Sequence, residues 1–198
     1  MKVLRSLISG TLALSLCMGS IKCKSVTAAS YTRLIDNDPI ATGYSGQYAN
    51  MSYYNGLVSS YNNDMRLSNS TSAYYMWRYP MISTDVSNCT VSLNIYLDNY
   101  NFTDTYAHYT IMTYPIEGEG AGYFQTIGYI NQEIAPSGWS TISKNVSTQP
   151  GYNSIASSSV CVEKSTASGR QMGADAIQVT ISYRDEQNAV KNQCIYEK

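Results

Sequence analysis

Charge is scarce in this chain, and so is histidine. Lys, Arg, Asp and Glu make up 14% of the 198 residues and the formal net charge is −1, whereas about a quarter of an ordinary soluble domain is charged. Binders of nucleic acid neutralise phosphates with a basic stripe, and this composition has none to offer. One histidine, His108, excludes a zinc site built on several His ligands and weakens any His-dependent triad. Gly-x-Ser-x-Gly, His-Glu-x-x-His and Cys-x-x-Cys are all absent. Glu117 and Glu119 are the closest pair of Glu, but two residues apart in a Gly loop they cannot hold the roughly 5–9 Å cleft geometry of a glycosidase. No enzyme is expected, with polysaccharide degradation as the residual alternative. After the first thirty residues no stretch is apolar enough to cross a bilayer, and no segment beyond about ten residues keeps a helical period.

The N-terminus reads as an export signal. Lys2 and Arg5 form a positive start, Leu7 to Cys17 an apolar run too short to span a membrane, and Val26-Thr27-Ala28-Ala29 a small-residue cut site after Ala28 or Ala29. Lipid attachment at Cys17 is disfavoured, because Leu16 stands where Gly or Ala precedes a lipidated Cys. The expected division is therefore 1–29 signal peptide, 30–185 folded domain, 186–198 C-terminal tail, with a secreted or cell-surface location. Removing the leader takes four basic residues and no acid, leaving 9 basic against 14 acidic, a net charge of −5. Cys89, Cys161 and Cys194 stay behind. In an oxidising compartment two of them are expected to bridge; sequence does not choose among the three pairings, but Cys194 is the favoured partner because it would tie down the C-terminal tail.

What the chain has in abundance is Tyr, 19 of them, together with Ser, Thr and Asn. Ser30 to Ser70 is turn-rich, punctuated by Asp36-Asn37-Asp38-Pro39, Gly43, Gly46 and Gly56. From Ser72 the period is two. Tyr75, Trp77 and Tyr79 share one face with Met76 and Arg78 on the other, and Pro80 ends the run. Val91, Leu93, Ile95 and Leu97 then alternate with Ser92, Asn94 and Tyr96. Further strands are expected over Tyr106–Met112, Tyr123–Ile130, Ile155–Val162 (Val160 and Val162 inward) and Ala174–Tyr183. Gly118–Gly122, Pro136-Ser137-Gly138 and Gly169–Gly173 read as turns or loops. Seven or eight short strands in one domain without repeats specify an all-β, antiparallel sandwich or barrel.

Asp175 breaks the pattern, because its parity matches buried Ile177, Val179 and Ile181. A carboxylate there must be bonded, paired or bound to metal. It either caps backbone N–H groups at the strand mouth, pairs internally, ligates calcium, or acts in catalysis. Asp36 and Asp38, with Asn37 between them, offer hard oxygens in one turn. They are candidate calcium ligands, although the same residues make a good Asx-turn. No other cofactor is expected. His108 reads as a half-buried or surface polar residue on a sheet face.

Several blocks recur in an order seen elsewhere: Ile35-Asp36-Asn37-Asp38, Gly43-Tyr44-Ser45, Tyr75-Met76-Trp77-Arg78-Tyr79-Pro80, Ala107-His108-Tyr109-Thr110-Ile111, Asn131-Gln132, Gly138-Trp139, and Gly169 through Ala174-Asp175-Ala176. In this the chain resembles the carbohydrate-binding-like module at the C-terminus of golvesin and xanthan lyase. That resemblance implies a galactose-binding-like jelly roll and a non-catalytic partner role toward a polysaccharide or cell-wall glycan. Sugar-binding sandwiches stack rings on pyranose faces and hydrogen-bond the hydroxyls. Loop-borne Tyr44, Tyr48, Tyr54, Tyr61 and Tyr100, with Arg78, are the ligand candidates, whereas Trp77, Trp139 and Asp175 are expected to be structural. The alternative is a structural or adhesive surface protein whose Tyr/Ser/Thr/Asn face meets protein partners. N-glycosylation sequons stand at Asn50, Asn69, Asn88, Asn101 and Asn145.

Overall fold

Alternation in the sequence becomes alternation in burial. The computed structural model describes residues 28–37, 47–78, 86, 88–116, 120–153, 155, 159–164 and 169–184, all of them in one unit spanning 27–185. The described residues form twelve strands: β1 (Ala28–Ile35), β2 (Gln47–Ala49), β3 (Ser52–Asn55), β4 (Asp64–Ser68), β5 (Tyr74–Arg78), β6 (Asn88–Leu97), β7 (Ala107–Thr113), β8 (Tyr123–Ile130), β9 (Gly138–Ser147), β10 (Ser159–Glu163), β11 (Met172–Ala174) and β12 (Ile177–Arg184). A four-stranded sheet runs β1-β12-β6-β9, a five-stranded sheet β2-β5-β10-β7-β8, and a small third sheet β11-β4-β3. Every neighbouring pair is antiparallel. The result is an all-β antiparallel sandwich.

Its core lies between the two large sheets. Val91, Leu93, Ile95 and Leu97 of β6, with Ile177, Val179 and Ile181 of β12, face Tyr75, Trp77, Tyr109, Ile111, Val160 and Val162 of the five-stranded sheet, all of them buried. Each such side chain contributes on the order of 1.5–3 kcal/mol by leaving water. Gln132, fully buried, donates to the Tyr109 hydroxyl (3.0 Å) and the Gly173 carbonyl (3.0 Å) and accepts the Gly173 N–H (3.1 Å). Burial raises the Tyr109 hydroxyl pKa well above its usual range. Gly173 has no substitute here, because a Cβ would collide with the Phe102 ring packed on it.

The structure has more strands than the sequence pattern predicts. β9 is the main addition: only Ile142 and Val146 carry its inward face, so hydrophobic period reveals little. β2, β3 and β4 occupy the turn-rich 47–68 stretch. The expected Ala174–Tyr183 strand divides at Asp175-Ala176, because Met172–Ala174 pairs with β4 in the small sheet while Ile177–Tyr183 pairs with β6 in the four-stranded one. Asp175 therefore sits where the chain changes sheets.

The expected disulfide is not found among the described residues: Cys89 and Cys161 are both free thiols. Cys89 shares the parity of Val91 and points into the core from β6, whereas Cys161 lies opposite in parity to core-facing Val160 and Val162 and points to the outer side of β10. The two therefore cannot meet. Burial pushes the thiols up to about 11 and about 12 respectively, so both stay protonated and unreactive. Cys194 lies outside the described residues, as do Cys17 and the tail 186–198.

Candidate functional site

Two Asp-x-Tyr segments build the most exposed rings of one loop. Asp98 Oδ1 accepts the N–H of Tyr100 and Asp104 Oδ1 that of Tyr106, each at 3.0 Å. These are Asx-turns. Asp98 also accepts hydrogen bonds from the Ser59 hydroxyl and the Asn101 amide, both at 2.7 Å. The loop is thus pinned from beneath, with Tyr100 83% and Tyr106 56% exposed above it.

Tyr106 does not stand alone. Its ring stacks on Tyr129 of β8 (centroids 4.2 Å, 17°), and Tyr129 stacks in turn on His108 of β7 (4.6 Å, 14°). Register places His108 directly opposite Tyr129. The imidazole is fixed at both nitrogens, Nε2 with the Thr126 hydroxyl at 2.9 Å and Nδ1 facing the Glu163 carboxylate at 3.5 Å. This strip lies on the outer side of the five-stranded sheet, the side away from core-facing Tyr109 and Val162.

The hydroxyl–imidazole–carboxylate order resembles a hydrolase triad, but its setting does not. Thr126 is a β-branched alcohol in mid-strand on a sheet face, and none of the three residues lines the cleft described below. The order positions a ring. Glu117 and Glu119 lie outside the described residues, and no catalytic constellation forms among those that are described.

A second ring cluster occupies the four-stranded sheet. Tyr96 and Trp139 are cross-strand partners, and with Tyr61 they pack edge to face at 5.2–5.7 Å. Trp139 is 42% exposed. Tyr61 comes from a short 3-10 turn, Tyr61–Asn63, in which Asn62 and Asn63 take positive φ of 50° and 66°, a region Asn tolerates better than most residues. Two carboxylates hold the turn. Asp175 Oδ2 accepts the Tyr61 N–H at 2.9 Å and Asp36 Oδ2 the Asn62 amide at 2.6 Å.

Asp36, Asp64 and Asp175 lie together, one carboxylate oxygen from each within 4.8 Å of the other two. Asp175 is the deepest in electrostatic terms. Burial, against the opposing help of the Tyr61 N–H, raises its pKa from 3.8 to about 8, with Asp36 and Asp64 adding to the rise and its bond to the Ala176 N–H offsetting part of it. Its carbonyl accepts the Trp77 indole N–H at 2.9 Å. The hard-oxygen set can coordinate a metal ion. Oxygens bound to one calcium at about 2.4 Å stand no more than roughly 4.8 Å apart, and the buried amide oxygen of neighbouring Asn37 has no hydrogen-bond partner. Of the residues expected to ligate metal, Asp36 is in this cluster and Asp38 lies outside the described residues. Asp64 joins them without any signal in the local sequence.

The loop tyrosines disperse. Tyr44 lies outside the described residues. Tyr48 of β2 stacks on Tyr75 (6.2 Å, 10°), and the buried Arg66 guanidinium covers it at 4.0 Å, with Tyr53 at 5.2 Å and Tyr75 at 5.7 Å from the same group. Burial pushes the Tyr75 hydroxyl up to about 12, opposed by Arg66. Tyr54 of β3 flanks an open cleft of about 440 Å³. Arg78 is exposed at the end of β5, and Trp77 is wholly buried. Tyr106, Tyr129 and the strip they form were not singled out from sequence, although the shared parity of Tyr106 and His108 is visible there.

No protein-family model matches the chain, and no curated relative does. Solved structures do. A stretch of the Paenibacillus xanthan lyase structure aligns with a TM-score of 0.50 at 14% identity, covering 75% of this chain and 13% of that one. The Clostridium thermocellum xylanase 10B structure of a family 22 carbohydrate-binding module with its catalytic module, complexed with xylohexaose, aligns at 0.46 and 12%, covering 79% and 27%. The xylan-binding family 22 module of Paenibacillus barcinonensis Xyn10C aligns at 0.46 and 8%, covering 77% of this chain and 98% of that domain. The chain thus spans a small part of the first two. At such identities the likeness is one of fold alone, an all-β antiparallel sandwich consistent with jelly-roll architecture, with no single family defined. No described helix is long and apolar enough to cross a membrane.

Proposed function

We propose that this protein is a secreted module that holds a polysaccharide or cell-wall glycan without cleaving it. The observation that carries this reading is the Tyr106–Tyr129–His108 strip. Parallel rings leave an exposed aromatic face, and the Glu163 carboxylate, which keeps acceptor capacity beyond its contact with His108, stands beside it to meet sugar hydroxyls, which is the pairing of apolar face and polar edge that pyranose recognition needs. Tyr100 extends the exposed aromatic surface on the same loop. Tyr48 and Arg78 are further contact candidates. The likeness to a golvesin and xanthan lyase type of module, and the extracellular setting of such folds, point the same way.

Export fits the strand order. Ala28 and Ala29 pair with Arg184 and Tyr183 at the open end of β1, so signal cleavage after either leaves Ser30–Ile35 paired with β12. The carboxylate cluster would be held by calcium through Asp36, Asp64 and Asp175. There the ion supplies positive charge where burial opposes ionisation, and it fixes the Tyr61 turn.

Pull-down and titration of the purified chain against soluble and insoluble polysaccharides, including peptidoglycan, with and without EDTA, test this. Saturable binding to one polymer class that is lost in Tyr129→Ala supports the strip. A folded chain that binds no glycan overturns the reading in favour of a protein-binding surface module.

A further inference from the structure

The cleft beside Tyr54 shares no lining residue with the sheet-face strip. It is bounded by β3, β4, the turn after β4, and Gln171 just before β11. Its volume of about 440 Å³ falls in the range of small-molecule sites, roughly 300–1,000 Å³. Three features separate it from an incidental surface dent.

The first is a rigid rim. Asn50 holds a left-handed φ of 54° and donates to the Ser72 hydroxyl at 2.9 Å. The Ser70 and Ser72 hydroxyls bond to each other at 3.1 Å, and the Ser68 hydroxyl accepts the Ser70 N–H at 3.1 Å. Short side chains tied to one another and to backbone keep the mouth in one shape.

A second feature is that other polar groups at the same cleft remain unspent. The side chains of Ser52, Tyr54, Asn69 and Gln171 line it, and none makes a side-chain hydrogen bond to a described residue. Gln171 engages only through its backbone, to Thr103 and Asp104. Tyr54, 44% exposed, stacks on no other described ring. Two amides and two hydroxyls thus present both donors and acceptors to whatever enters, over an apolar floor of buried Met51 and Leu67 and beside a free aromatic face.

The third is charge. None of the nine lining residues is ionisable at neutral pH. A carboxylate, sulfate or phosphate would lose water there without a cation to receive it. An uncharged polyol with one apolar face would lose little and be matched on every side.

We propose that this cleft is a binding site for a neutral saccharide, taken as a single residue, a disaccharide or the end of a chain. It shares only its ligand class with the sheet-face reading and does not depend on it. The test is an amide chemical-shift titration of the full ¹⁵N-labelled chain with glucose, galactose, mannose, xylose, N-acetylglucosamine, cellobiose and xylobiose, with glucuronate and inorganic phosphate alongside. Saturable shifts are expected at Ser52, Asn69 and Gln171 for at least one neutral sugar, with none there for glucuronate or phosphate. In Tyr54→Ala the Kd should rise about tenfold, the worth of one stacked ring, and Asn69→Ala should weaken the same sugar. Tyr129→Ala should leave the shifts at Ser52, Asn69 and Gln171 unchanged, which separates this site from the strip. Tyr54 and Asn69 are both exposed, so unaltered melting curves are expected and confirm that the variants fold. No saturable shift with any neutral sugar, shifts confined to the His108–Tyr129 strip, or an equal response to glucuronate would each overturn the proposal.

Discussion

Each outer face of the sandwich carries three aromatic rings in contact, and the two sets are assembled in opposite ways. On the four-stranded sheet Tyr61, Tyr96 and Trp139 meet at 63–84°, every ring presenting an edge to another's face. On the five-stranded sheet Tyr106, Tyr129 and His108 are parallel within 17°. A herringbone trio satisfies its own quadrupoles and closes on itself, while the parallel stack ends in a face that no other described ring covers. The surroundings follow suit. The herringbone is tied through Tyr61 to buried Asp175 and sits at one end of a field of hydroxyls and amides that bond across strands: Thr32 with Thr180, Thr90 with Asn145, Thr141 with Asn94, Ser147 with Asn88. One cluster is built to anchor a loop. The other is open to a ligand.

If that is right, the largest effect belongs to the anchor. Asp175 ionises near 3.8 in the unfolded chain and near 8 in the folded one, so without a divalent ion unfolding releases a proton between those values. Stability then falls as pH rises through about 8 and is fully restored only below about 4. Calcium competes with that proton, and its stabilisation should grow across the same window. In EDTA the Tm is expected to drop by on the order of 5 °C between pH 5 and 8.5, and calcium should recover it. Asp175→Asn should flatten both responses. A Tm in EDTA that rises over this range would remove the buried-acid account. Next in size is Trp139→Ala, expected to cost about 2 kcal/mol in urea unfolding through lost ring packing while polysaccharide binding is unchanged. A loss of binding with intact stability would exchange the roles of the two clusters.

The asymmetry was only partly legible in the sequence. β6 was legible residue by residue, because a half-buried strand with Val, Leu and Ile on one side and polar residues on the other writes its period directly. β9 was not, since its partner β6 supplies the apolar surface and its own outward face, after Trp139, is Ser, Thr and Asn. Asp175 announced itself by parity, an acid in an aliphatic row. Asp64 did not, because its place beside Asp36 and Asp175 is set by long-range pairing of the small sheet. The stacked strip was hidden for a similar reason: Tyr106 and Tyr129 are 23 positions apart, and only the β7–β8 register, with its bulge at Tyr109/Thr110, brings them ring to ring. Rings in loops drew attention because loops carry function. Here the open stack joins a loop ring, Tyr106, to two strand-borne rings, Tyr129 and His108.

Tyr129→Ala probes that face directly. It removes the middle ring of the stack and leaves Tyr106 and His108 without a shared partner, so polysaccharide affinity is expected to fall about tenfold, near 1.4 kcal/mol. Because the ring is 44% exposed, melting should shift little. Tyr129→Phe keeps the stack and should retain most of the affinity, which separates stacking from any hydrogen bond by the phenol. Equal affinities for the wild type and the Ala variant would mean that the stack only braces the β7–β8 corner, as the herringbone braces the Tyr61 turn.

The smallest effect lies in the hydroxyl field. The Thr32 and Thr180 hydroxyls bond each other at 3.0 Å across β1 and β12 on an exposed face. Cross-strand pairs of this kind contribute roughly 0.2–1 kcal/mol, and water replaces the lost partner when one is removed. A double-mutant cycle of Thr32→Val and Thr180→Val should therefore show a coupling of only about 0.5 kcal/mol, and the double variant, more apolar and β-branched, should be nearly as stable as the parent. Its glycan binding should be unaltered. The self-bonded hydroxyls of this face have little left to offer a sugar, whereas the strip on the opposite face keeps its ring surface free. A marked loss of polysaccharide affinity in the double variant would show that the flat polar face takes part in recognition and that the two faces are not divided between anchoring and binding.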